Sequence, residues 1–363
     1  MVLRLMTDKF IFLTATLLMV FGVVMVYSAS SVLAAERFGS QWYFFARQTA
    51  WAVIGLIAML AMANINYRWL QKPGVVYLIL VVCLGLLVAV FFLPPINHAH
   101  RWLRWRFLSF QPSELAKLGL TIFLAYYLSR RMPNEVEDYW QAFFPCALVA
   151  VVMMGLIALE PDLGMAVALG AILVVCLFVA GVPVRHQLTL AAVALPALGY
   201  FLLFVPWRWD RLMVFLDPWR DPQGRGFQSI QSMIAIGSGG LMGTGFAQGK
   251  QKLFYLPEPH TDFIFAEIGE ELGLIGIGVV VVAFGVLFWR GVRVGLRAPD
   301  TFGMVLAVGI TTALVGQALW NMSVALGLLP VKGVPLPLVS YGGSSLLLTM
   351  AQIGILLNIA GAR

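Results

Sequence analysis

Apolar residues run through this chain in stretches long enough to cross a bilayer, and that property limits its folds more than any other. A helix crosses the hydrocarbon core with about 20 apolar residues. On that rule the sequence predicts ten spanning helices, near 10–28, 46–65, 75–93, 113–129, 143–160, 163–180, 187–205, 263–289, 302–328 and 343–360. The stretches lack the short alternating pattern of a barrel strand, so helices are the spanning elements. The expected fold class is therefore all-α, polytopic and integral to the membrane, in a single domain over 1–363. Only 11% of the residues are charged, against about 25% in soluble domains, which excludes a soluble globular fold. Phe10–Val26 is followed by neither a cleavage site nor a soluble domain, so it reads as the first span.

Arginine and lysine placement orients the spans. Arg4, Lys9, Arg68, Lys72, Arg130, Arg131, Arg185, Arg290, Arg293 and Arg297 fall at alternate ends, the cytoplasmic ones by the positive-inside rule. Both termini are then inside, and the long polar segment 206–262 is an outside loop between helices seven and eight. The net charge of +7 reports this topology, and no nucleic-acid partner is implied. Cys83, Cys146 and Cys176 are scattered through apolar stretches and imply neither disulfides nor a metal site. His98 and His100 in one loop and His260 in another have no zinc spacing.

Two short outside loops oppose the charge rule. Residues 97–111 carry Arg101, Arg104 and Arg106, and residues 329–341 carry Lys332. Either the acidic residues of 206–262 balance them, or they bind an external anion such as a phosphate; the second reading is favoured. Charges also occur inside the spans, where they are costly and face a cavity or a partner. Glu114 and Lys117, three apart, are placed to pair. Glu267, Glu270 and Glu271 lie in the first turns of the eighth span. Glu267 and Glu271 share a face, so one must be protonated or paired with a basic residue.

Within 206–262, Asp-Pro pairs at 217–218 and 221–222 predict ordered turns. Residues 227–236 have helical apolar spacing and predict an amphipathic helix lying on the outer leaflet. The glycine-rich run 237–245 matches neither phosphate-loop pattern and reads as a close backbone turn. His260-Thr261-Asp262 has no nucleophile elbow to complete a hydrolase triad. Asp262, at the border of water and membrane, suits a general base whose pKa partial desolvation raises. The competing reading is a carboxylate that caps the following helix.

These residues carry a resemblance. MVYSAS (25–30), RWL with FQPSELAKL (101–103, 110–118), EPDLG (160–164), DPWRDPQGRGFQSIQSMIAIGSGGLMGTG (217–245), LPEPHTDFIFAEIGEELGLIG (256–276) and LLPVKGVPLPLVSYGGSS (328–345) resemble the SEDS family of bacterial cell-wall proteins over nearly the whole chain. HTDFIFAEIGEELG and Lys332-Gly333 look more like its division branch than its elongation branch. The resemblance implies ten spans and a peptidoglycan glycosyltransferase that polymerises lipid II at the outer face of the bacterial inner membrane, at the division septum. It implies Asp262 as the essential carboxylate, with Trp102, Lys332, Glu114 and Lys117 at motif positions. In the expected reaction Asp262 deprotonates an attacking sugar 4-hydroxyl, and undecaprenyl pyrophosphate leaves with inversion. Arg101, Arg104, Arg106, Lys332 and His260 are the candidate substrate-binding residues; Glu114, Lys117, Glu267, Glu270 and Glu271 are supporting ones. No cofactor is required by the sequence, though a divalent cation, Mg or Mn, suits the pyrophosphate. The implied partners are a class B penicillin-binding protein, other division-site membrane proteins and membrane lipids. A lipid II flippase, an elongation polymerase and a non-catalytic scaffold are the alternatives.

Overall fold

The computed structural model describes residues 8–94, 101–105, 108–204, 206–253 and 255–362. Asp8 opens α1 (Lys9–Phe38) by accepting a hydrogen bond from the Ile11 N–H at 3.2 Å, which satisfies one of the free donors at a helix start. There follow α2 (Tyr43–Asn64) and α3 (Pro73–Ala89), then a hairpin of β1 (Leu103–Trp105) and β2 (Leu108–Phe110). Next come α4 (Pro112–Ser129), α5 (Phe144–Leu159), α6 (Leu163–Val179) and α7 (Val184–Leu203). The long polar segment holds α8 (Pro206–Leu216) and α9 (Phe227–Gly239), and the chain ends with α10 (Ile264–Leu296), α11 (Thr301–Ala325) and α12 (Gly343–Gly361).

Helices occupy all the predicted span positions, and the polytopic all-α class holds apart from the small antiparallel hairpin, in which Leu103 pairs with Phe110. Among the described residues, seven helices are long and apolar enough to cross a membrane, and α6 is a shorter apolar helix. In α4 the apolar run is diluted by Glu114 and Lys117. The chain is thus a multi-pass membrane protein.

The helices sort by burial. Most of α11 and α12 is buried; α10, α4 and α6 pack on α11, and α2 packs on α12. Outer helices turn large apolar side chains outward, including Leu78 and Val81 of α3 and Val279 and Val282 of α10, as a surface solvated by lipid chains allows. At one end, Arg290 pairs with Asp8 at 2.7 Å and Arg68 with Asp300 at 3.1 Å. These pairs gather the starts of α1 and α11 with the end of α10 and the residues just after α2. The candidate site lies at the opposite end.

The long polar segment departs from expectation. α9 does not lie free on a leaflet: it packs against α10 and α11, and its Ser232 hydroxyl donates to the Ala325 carbonyl at 2.7 Å. The eighth span is not continuous either. Gly273, at φ 64° and ψ −161°, breaks α10 and strips neighbouring peptide groups of their helical partners. The glycine-rich run replaces those partners. Leu274 N–H donates to Gly240 O at 2.9 Å, while Thr244 and Gly245 N–H donate to the Glu270 and Glu271 carbonyls at 2.9 and 3.1 Å. Such backbone groups need internal partners where water is scarce. A Cβ on Gly243 would sit 2.1 Å from Glu271 O, so this approach requires glycine. Residues 240–252 of this loop run back along α10.

Candidate active site

Residues 260–262 are held by their backbone. The His260 carbonyl accepts from Tyr341 N–H at 2.9 Å, the Thr261 carbonyl from the Ser340 hydroxyl at 2.5 Å, and the Asp262 carbonyl from the Asn321 amide at 2.8 Å. The same Asn321 nitrogen donates to Val334 O at 2.8 Å. One α11 side chain thus ties the segment bearing Asp262 to the segment bearing Lys332. Asp262 is not the cap of α10: the N-cap is Phe263, which makes no side-chain capping bond.

The Asp262 carboxylate lies against Gly333. A Cβ there would be 2.6 Å from Asp262 Oδ2, so the glycine of the Lys-Gly pair leaves the volume that this carboxylate needs. Burial pushes Asp262 up to about 6, with Glu258 and Asp162 adding repulsion and Arg101 opposing them. A carboxyl of that strength is a base at neutral pH and takes a proton more readily than an ordinary aspartate.

Lys332 lies 3.0 Å from Asp162 in the turn between α5 and α6. Gly164 has room for the lysine stem, whose Cγ and Cε would be 3.2 Å from a Cβ at that position. Arg101 closes the same cluster. Its Nε is 3.8 Å from Asp162 Oδ2 and donates to Glu160 O at 3.1 Å, and its Nη2 donates to Pro161 O at 2.6 Å. Burial holds Lys332 below the usual lysine value; Asp162 opposes that shift, and Arg101 and Arg211 reinforce it. One carboxylate therefore serves two cations beside the segment that carries Asp262.

Trp102 is half-buried beside Arg101. The Arg104 side chain, Arg106, His98 and His100 lie outside the described residues. His260 is a correction. It is 2% exposed, packed 4.5 Å from Phe44 and 5.6 Å from Tyr341 between ring centroids. Burial and Arg37 push it down to about 4, so it is neutral at pH 7 and offers no charge to a pyrophosphate. Its part is to pack behind the Asp262 turn.

Glu114 and Lys117 pair at 2.9 Å while buried. Lys117 also donates to Gln317 Oε1, and the Gln317 amide donates to Pro335 O at 2.9 Å. The pair thus braces the 332–336 segment from below. Glu267, Glu270 and Glu271 form a separate buried group. Glu271 meets Lys252 at 2.5 Å and accepts from the Ser28 hydroxyl at 2.6 Å. Glu270 accepts from the Lys250 N–H at 2.7 Å, and both oxygens of Glu267 lack a hydrogen-bond partner among the described residues. Lys252 answers the predicted repulsion by pairing directly with Glu271.

Sequence reasoning missed Asp162, Glu160, Asn321, Arg211 and Lys252. Glu160 and Asp162 entered only as part of the EPDLG motif (160–164) between two short spans, with no partner assigned. Their signal was charge balance, since two acids stood on the outside, where the unexplained cations lay. Gln317 and Asn321 carried another: two amides four apart in an apolar run share one helix face. Lys252 and Arg211 had no comparable signal, because polar residues in a polar segment attract no notice.

Comparison with known proteins bears on this geometry. The family model FTSW_RODA_SPOVE, described as cell cycle protein, matches residues 8–363. A probable peptidoglycan glycosyltransferase FtsW from Geobacter metallireducens is 44% identical over 357 residues, covering 97% of this chain and 94% of that protein. Stage V sporulation protein E of Bacillus subtilis is 41% identical, covering 97% of this chain and 96% of its own length. Among solved structures, a chain from work on "Structural coordination of polymerization and crosslinking by a peptidoglycan synthase complex" aligns with TM-score 0.79 and 33% identity over 97% of both chains. The rod shape determining protein RodA of Thermus thermophilus aligns with TM-score 0.71 and 30% identity, covering 97% of this chain and 96% of RodA.

Proposed function

The chain belongs to the FtsW, RodA and SpoVE family of cell cycle proteins, and on that premise we propose that it is a peptidoglycan glycosyltransferase that polymerises lipid II during cell division. Relatives of similar length bear the glycosyltransferase name. The observation that carries the assignment of the chemistry is Asp262, a carboxyl raised to about 6 on a backbone whose three carbonyls at 260–262 are each hydrogen-bonded.

The mechanism follows from that arrangement. Asp262 accepts the proton of the acceptor sugar's 4-hydroxyl as its oxygen attacks the anomeric carbon of the donor. The bond from that carbon to the pyrophosphate oxygen breaks, and the electron pair leaves with the phosphate. An α-linked donor gives a β-1,4 product by one displacement, with no covalent enzyme intermediate. Arg101 and Lys332 stabilise the charge that develops on the leaving group, in a site where such stabilisation is strong. Holding the Asp262 backbone in advance lowers the reorganisation needed to reach the transition state.

A divalent cation, Mg or Mn, would be held mainly by the pyrophosphate. Among the described residues no three acidic, His or Cys side chains gather as a metal site, and hard cations bind readily through one or two carboxylates plus substrate phosphates; Asp262 and Asp162 are the candidates. The bound cation would neutralise pyrophosphate charge. The site end faces the periplasmic side and both termini the cytoplasm, in keeping with the basic residues at the other end. The working partner is a class B penicillin-binding protein, since the chain has no S-x-x-K transpeptidase motif of its own and a similar chain was solved in a peptidoglycan synthase complex. Other division-site membrane proteins would place it at the septum.

The test is polymerisation of purified lipid II, alone and with the partner, by wild type and Asp262→Ala, beside a lipid II scrambling assay in liposomes. Polymer from the wild type and none from a folded Asp262→Ala is expected. Scrambling without polymer would favour a flippase, and cell growth unaffected by Asp262→Ala would favour a scaffold.

A further inference from the structure

A cavity of about 510 Å³ opens between α8, α9 and the 329–341 segment. It lies apart from the cluster around Asp162, yet two of its wall residues adjoin the site. Val331 is the neighbour of Lys332, and Pro257 lies five residues before Asp262. Its polar lining is supplied by Arg211, Gln223, Arg225, Gln228 and Ser229. Arg225 is paired with Asp210. Arg211 stands close enough to Arg101 and Lys332 for its charge to be felt at both.

Two features make this cavity more than a surface recess. Its volume is within the range of small-ligand sites, about 300–1,000 Å³. Its chemistry is also that of a charged sugar: a guanidinium suits a phosphate or carboxylate, and two amides and a hydroxyl suit sugar hydroxyl and acetamido groups. The reaction itself calls for a second site. Both reactants are lipid-linked sugar diphosphates, and the Arg101–Lys332 pair can hold only one leaving group. We propose that the cavity is the subsite for the anionic sugar headgroup of the second lipid-linked substrate, with Arg211 as its anion contact and Gln228 as a sugar contact. This rests on the glycosyltransferase reading above. The headgroup belongs either to the growing strand or to the incoming monomer, which share this chemistry.

The experiment uses the full chain with its partner in proteoliposomes, lipid II as the probe, and Arg211→Ala, Arg211→Lys and Gln228→Ala. Arg211 is exposed, so its replacement leaves packing intact, and thermal melts check this. Arg211→Ala should raise half-saturating lipid II roughly tenfold with a smaller change in maximal rate, and Arg211→Lys should recover most of the loss. Gln228→Ala should give a smaller rise. If the cavity holds the growing strand, Arg211→Ala will also shorten the glycan products; if it holds the monomer, strand length will persist while half-saturation rises. Unchanged half-saturation and strand length in both alanine variants, beside an active wild type, overturn the subsite. An inactive wild type that is folded and partnered overturns the parent reading, and the subsite with it.

Discussion

Lys332 reaches past the neighbourhood of Asp262 to Asp162, meeting it at 3.0 Å, while Gly333, the next residue, lies against the Asp262 carboxylate. Two consecutive residues therefore serve two different acids. One faces the anion cluster and the other makes room for the base. Both are carried on a segment that Asn321 fastens to residue 262.

Replacing Gly333 separates position from stability. The atom that a new Cβ would meet at 2.6 Å is the end of the Asp262 side chain, which can swing aside. Gly333→Ala is expected to melt within a few degrees of wild type yet lose roughly 10²-fold in polymerisation rate, because displacement by about 1 Å costs that much. Melting curves and lipid II turnover on the same preparation check it.

The pH profile reports Asp262. A base raised to about 6 is protonated and inactive at lower pH, so the rate should climb through about pH 6 and not through the ordinary aspartate range near 4. Removing the Glu258 charge removes a repulsion that raises this pKa. Glu258→Gln should therefore shift the acid limb to lower pH, measured as initial rate against pH.

Glu160 is buried, with neither oxygen hydrogen-bonded among the described residues, and burial foremost pushes it from 4.5 up to about 8. Because folding raises its pKa, ionisation opposes the native state: the cost is absent below about 4.5 and grows as pH rises toward about 8. Glu160→Gln is expected to stabilise the protein at pH 8 by about 1 kcal/mol or more, and hardly at all at pH 4. Melts across that interval give the sign directly.

Lys332 and Asp162 form a double-mutant cycle. Lys332→Ala leaves the carboxylate of Asp162, 2% exposed, with the longer Arg101 contact at 3.8 Å and the Met165 N–H at 3.4 Å, and should cost about 1–3 kcal/mol of stability as well as activity. Adding Asp162→Asn should recover the stability and leave the activity lost. Denaturation and polymerisation assays on all four proteins test the cycle.

The carboxylates of α10 pose a harsher case. Lys252→Met removes the cation beside Glu271 and leaves three buried acids together, at an expected cost of roughly 3–5 kcal/mol. Glu271→Gln in the same protein should return much of it, which thermal denaturation in detergent would show.

The spans, the position of Asp262 and the Glu114–Lys117 pair were legible because each depends on short-range rules: apolar run length, a polar-to-apolar border, and helical spacing. The break at Gly273 was not. Gly273 is one of four glycines between 269 and 278, so nothing local singles it out, and what breaks α10 is the docking of residues 240–245. Asp162 was hidden for a similar reason. Its meaning comes from two cations carried by other segments, and no local pattern announces a partner 170 residues away. His260 misled because motif proximity to Asp262 suggested a shared task, whereas alternate sides of one turn face the site and the aromatic packing behind it.

The interruption of α10 has a mechanical consequence. Its inner piece, from Leu274 to Leu296, is roughly 34 Å long at 1.5 Å per residue, enough for the hydrocarbon thickness, and a helix matched to a bilayer adapts by tilting when that thickness changes. Its outer piece, Ile264–Leu272, is bonded to the glycine run and to the carboxylate group instead of continuing the inner helix. The glycine run bonds Leu274 and Ile275 of the inner piece as well as Glu270 and Glu271 of the outer one, so a tilt of the shaft would reach the aspartate at its head through residues 240–245 and not along one continuous helix.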